Sequence, residues 1–183
     1  MANRLLICII LMLTSWSCTR DFGVQTNEPS ASVTEAEYVV LAAIVDSIVS
    51  PKSPAALILD DSTTSGLFSN DADSALTKML QYVGQHMSTL KSETILDFKS
   101  KNLIRYRLVT PAGIDPRCVR RSESNAMYPS ISVSRVGFSS DNQQALAYVG
   151  IVDAPLAGWG SAYLLARQGE RWKIVAEVMM WIS

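Results

Sequence analysis

The feature that most constrains the fold is a change of period along the chain. From Ser130 onward, apolar residues recur at alternate positions in four runs, "SISVSRVGF", "QALAYVGIV", "SAYLLAR" and "RWKIVAEVMMWI". A period of two belongs to extended backbone, because successive side chains leave a strand on opposite faces. Turn-forming residues separate the runs around Asp141 and Asn142, from Pro155 to Gly160, and at Gly169, so the strands are expected to fold back as an antiparallel meander. In the last run, strict alternation sets Trp172, Ile174, Ala176, Val178, Met180 and Ile182 on one face. Arg171, Lys173, Val175, Glu177, Met179 and Trp181 take the other. A mostly one-sided sheet of this kind needs helices to cover it.

Those helices are expected upstream, where the period is that of a helix. Thr34 followed by Glu37 forms a capping box, and Val33 can pack on Tyr38 as a hydrophobic staple. Leu41, Ile44, Val45 and Ile48 then form one stripe, which ends before Pro51. "AALIL" is a short strand ending at Asp60 and Asp61. A second helix starts near Asp71 and buries Leu76, Met79, Leu80 and Val83, and a third spans "SETILDFKS" and stops about Asn102. "LIRYRLV" is extended. The expected class is therefore α+β, with N-terminal helices packed on a curved C-terminal antiparallel meander.

Composition agrees with a folded core and narrows the partners. Apolar residues make up 48% of the 183-residue chain and charged ones 18%, with a formal net charge of −1. Nucleic acid is not an expected partner, because phosphate binding requires a concentrated basic field.

The N-terminal stretch points to export. Arg4 precedes the apolar run "LLICIILML", which is too short to span a bilayer and gives way to "TSWSC". The expected organisation is a signal peptide over 1–17, a flexible tether over 18–32 and a single domain over 33–183. Ser17 and Cys18 suit lipidation of Cys18, and the polar, proline-containing segment that follows suits a tether. Ser15 and Ser17 also suit ordinary signal cleavage. The balance favours a lipid anchor on Cys18 and a membrane-anchored envelope protein, with a soluble secreted or periplasmic form as the alternative. With Cys8 in the leader, Cys18 and Cys118 remain, and their pairing as a disulfide is the competing fate.

"GERWKIVAEVMMW" resembles the closing strands of the nuclear-transport-factor-like, or cystatin-like, cone fold. The stretch from Ser134 to Ser183 is also similar to uncharacterised bacterial secreted or lipoprotein families. The resemblance implies a cone-like sheet and a pocket. It does not specify a reaction, since cone-fold proteins include hydrolases, isomerases and binding modules.

Few residues suggest chemistry. His86 is the sole histidine and suits the C-terminal end of the second helix. Asp60 and Asp61 suit a turn, and Asp71 with Asp73 lacks the rest of a calcium loop. No metal site, cofactor motif or nucleophile elbow is recognised. Arg117, Arg120 and Arg121 surround Cys118 within an aperiodic segment of about 20 residues; they form either a solvated patch or a site for an anionic partner. The leading expectation is a non-catalytic envelope or secreted domain that binds a protein, a surface polymer or a small ligand. A small cone-fold hydrolase or isomerase is the alternative.

Arg135 breaks the pattern of its own run. Alternation groups it with Ile131 and Val133, yet Val136 and Phe138 then fall on the opposite face. Either a bulge near Arg135 resets the register, with Gly137 assisting, or the guanidinium points inward and must be paired there. Arg135 is thus the candidate ligand-binding residue, gripping either an anionic ligand or an internal carboxylate.

Overall fold

The computed structural model describes residues 33–48, 57–60, 72–103, 118–120 and 129–183. Residues 1–32, where a signal peptide and tether are expected, together with Arg117, Arg121, Asp61, Asp71 and the stretch 104–110, lie outside the described residues; Cys18 is among them. Helix α1 covers Glu35–Ile48, α2 Ala72–His86 and α3 Ser92–Lys101. None of the described helices is long and apolar enough to cross a membrane.

Local chemistry places the helices as the sequence predicts. At the start of α1 the Thr34 N–H donates to Glu37 Oε2 at 2.8 Å, and the Glu37 N–H donates back to Thr34 Oγ1 at 3.4 Å. Val33 and Tyr38 are both buried in one core, as a staple requires. On α2 the stripe Leu76, Met79, Leu80 and Val83 is buried. The N-terminus of α3 is capped by a distant residue: Gln144 Oε1 accepts from the Lys91 N–H at 2.7 Å and from Thr94 Oγ1 at 3.1 Å.

Among the described residues the sheet has seven strands. Strand β1 (Leu57–Leu59) lies between β2 (Cys118–Arg120) and β3 (Ser130–Val133) and runs parallel to both. The remainder is antiparallel. β5 (Gln144–Ala154) pairs with β3 and with the short β4 (Gly137–Phe138), then with β6 (Ala157–Gln168), which pairs with β7 (Arg171–Ile182). The meander is therefore as expected, whereas β2 lies inside the segment expected to lack periodicity. Three residues are too short a run to show a period; only the pairing with β1 makes them a strand.

The sheet is covered on both faces rather than one. Along β5, Ala145, Ala147, Val149 and Ile151 pack with Leu41, Ile44 and Val45 of α1. The intervening Leu146 and Tyr148 pack with α2 and with Phe98 of α3. Nearly every β5 side chain is consequently apolar or small, the signature of a strand buried on both sides.

Strand β7 does not keep one parity. Its register against β6 shifts between Leu164 and Leu165 and again between Gly160 and Ser161. Trp172 and Ile174 pack on the α1 side, whereas Ala176, Val178 and Met180 pack on the α2 side. Each bulge adds one residue and reverses the face of everything beyond it, which is why strict alternation grouped these residues incorrectly.

Candidate functional site

The structure resolves the Arg135 alternatives by combining them. Val133 pairs with Val149 and Gly137 with Leu146, so the β3–β4 side carries one extra residue, and the run is bulged at Arg135 and Val136. Val136 and Phe138 thereby join Ile131 and Val133 on the α1 face. The guanidinium also points inward. Arg135 Nε donates to Glu37 Oε1 at 2.7 Å and Nη2 to Glu37 Oε2 at 2.9 Å, a bidentate pair in which the side chains are 4% and 0% exposed.

Glu37 therefore serves two structures at once. Its carboxylate completes the capping box of α1 and also accepts the Val136 N–H at 3.1 Å. Burial pushes the Glu37 carboxyl up, but the Arg135 fork and the Thr34 and Val136 N–H groups outweigh it, holding the group below its ordinary value. Asn102, the C-cap of α3, closes the bulge from the other side. Its Oδ1 accepts the Arg135 N–H at 2.8 Å, and its Nδ2 donates to the Arg135 carbonyl at 3.0 Å. Gly137 is required beside this node, because a Cβ there would collide with the backbone of Phe98 in α3. Arg135 thus meets an internal carboxylate, one of its two expected partners.

A cleft of about 550 Å³ opens elsewhere, between α2 and the far end of the sheet. That volume is within the range of small-molecule sites. Ala75, Lys78, Met79 and Tyr82 of α2 line one wall, spaced i, i+3, i+4 and i+7 along one helix stripe. Met180 and Trp181 line the other. Consecutive strand residues ordinarily point apart, but the second β7 bulge turns both toward the same space. Tyr148, 1% exposed, forms the floor.

The floor is a built feature. Trp181 Nε1 donates to Tyr148 Oη at 2.7 Å. Gly150 and Gly160 lie opposite one another on β5 and β6, and a Cβ on Gly160 would overlap both the Tyr148 hydroxyl and the Trp181 indole nitrogen. Two glycines thus clear a lane in which the phenol and the indole meet. Burial raises the Tyr148 phenol above its ordinary value, although the Trp181 donor works the other way. The phenol stays neutral at physiological pH.

His86 ends α2, with Nδ1 2.8 Å from the Tyr82 carbonyl and its ring centroid 4.1 Å from that of Tyr82, the two planes tilted by 38°. Since a carbonyl can only accept, Nδ1 carries the hydrogen. Arg120 and Cys118 contribute backbone to β2. A shallow shelf beside α3 holds Glu93 and Asp97, but both are committed to fixing the β4–β5 turn, with Asp97 bound to Lys101 and to the Phe138 N–H. Among the described residues no three His, Cys, Asp or Glu side chains converge as a metal site would need.

Sequence reading missed the cleft. Its α2 wall was legible as a helix, but Met180 and Trp181 become neighbours in one cavity only through a bulge that alternation does not reveal. No family model, curated protein or solved structure matches the chain.

Proposed function

We propose that this chain is a non-catalytic binding domain of the cell envelope whose ligand site is the cleft between α2 and β7. The observation that carries this reading is the composition of the lining. The described lining residues include two methionines, two tyrosines, a tryptophan, an alanine and a lysine. They offer adaptable apolar surface and no nucleophile with an adjacent base. Export and anchoring rest on the apolar run Leu5–Leu13 and on Cys18. Cys18→Ser is expected to shift the protein from the membrane fraction to the soluble one. Unmodified Cys18 joined to Cys118 would overturn anchoring.

The site is tested with a neutral probe. N-phenyl-1-naphthylamine, whose emission rises in apolar surroundings, is expected to bind the full chain saturably. Ala75→Phe fills the cleft from the helix wall and is expected to abolish that signal with little change in the unfolding midpoint. Equal binding by parent and variant would exclude the cleft as the ligand site.

A further inference from the structure

The cleft is not uniform, and its gradient selects a ligand. At its floor the polar atoms face one another: the indole N–H is donated to the phenol oxygen. Among the described lining residues, a ligand group reaching that depth meets methionine, aromatic and alanine side chains, a surface on which an apolar tail is favourably buried. At the solvent side stands Lys78, exposed, with its stem along the wall.

Lys78 differs from the other lysines of the helical region. Lys91 lies 2.7 Å from Asp141, Lys99 2.9 Å from Asp73, and Lys101 2.7 Å from Asp97. Lys78 has no carboxylate within ion-pair distance among the described residues, and none of the described cleft residues is acidic. An apolar slot whose described lining carries one cation and no acidic residue is electrostatically complementary to one kind of molecule. We infer that the cleft binds a single-chain amphiphile with an anionic head, a fatty carboxylate, with its tail on Met79, Met180 and Trp181 and its head at Lys78.

This inference rests on the cleft being the ligand site, and the two can fail separately. Decanoate, dodecanoate and tetradecanoate, each below its critical micelle concentration, are titrated calorimetrically into the full chain. One molecule is expected per chain. Affinity is expected to tighten about fourfold per added methylene until the cleft is filled. Dodecanoate is expected to bind more tightly than dodecanol, and dodecyltrimethylammonium more weakly than either. Lys78→Met is expected to weaken dodecanoate about three- to fivefold and leave dodecanol unchanged, the size of an exposed charge pair. Lys78→Glu is expected to reverse the preference in favour of the trimethylammonium head. Added salt is expected to narrow the spread among heads.

Equal binding of all three heads, unmoved by Lys78→Glu, would overturn the head-group assignment and leave the cleft as a general apolar site. Tight dodecanoate binding that survives Ala75→Phe would overturn the cleft itself. Lys78-dependent capture by phosphatidylglycerol vesicles without binding of monomeric dodecanoate would also overturn the inference, identifying a membrane surface contact instead.

Discussion

The Glu37–Arg135 node and the α2–β7 cleft divide the interior chemistry of this protein between them. At the node two opposite charges are buried, and the carboxylate takes hydrogen bonds from Arg135, Thr34 and Val136. At the cleft the buried surface is apolar and the single charge among the described lining residues stays in water. The contrast separates two uses of polarity. Desolvated charge requires a fixed geometry and here ties α1 to the bulge, and Asn102 extends the connection to α3. Open apolar surface requires nothing specific until a ligand arrives.

The comparison is most easily broken at the node. Arg135→Met leaves the Glu37 carboxylate buried without its cation and is expected to cost about 3–5 kcal/mol in denaturant unfolding. At low temperature, the folded fraction should still bind the neutral probe. A variant of near-parental stability that has lost the probe would transfer the site from the cleft to the node. The pH dependence has a defined sign. The folded Glu37 value is lowered from 4.5, so the unfolded chain takes up the proton first. The pair's contribution is complete above about pH 4.5 and is lost as pH falls through the folded value. Acid titration of stability is expected to be shallower in the Glu37→Gln, Arg135→Met double variant than in the parent.

Two glycines sharpen the contrast at intermediate cost. Gly137→Ala presses on the backbone of α3, and Gly160→Ala presses on the Tyr148–Trp181 pair. Each is expected to cost about 1–3 kcal/mol as overpacking. Only Gly160→Ala is expected to weaken probe binding, since only that residue shapes the cleft floor. Equal effects on binding would mean that the two regions are coupled. The smallest effect is expected at His86, where alanine should change stability by about 0.5 kcal/mol or less and leave the cleft intact, as thermal unfolding would register.

Sequence reading succeeded where structure is set locally. The Thr34–Glu37 box, the stripe on α2 and the end of α3 at Asn102 each depend on residues within a turn or two. It stopped where a distant partner decides. β2 is a strand because β1 lies beside it, and β7 changes face because β6 imposes a register that alternation within β7 does not contain. The oddity of Arg135 was legible as a conflict between charge and period. Its partner was also in view, as the capping carboxylate of α1, but no local spacing linked the two residues.

That separation has a kinetic consequence. Glu37 and Arg135 are 98 positions apart, so α1 can acquire its cap long before its counter-charge is in place. Closing so long a loop is entropically slow, and contacts of this range form late on the folding path. The ion pair is therefore expected to act less on how fast the chain folds than on how long it stays folded: its removal should accelerate unfolding and leave the refolding rate nearly unchanged.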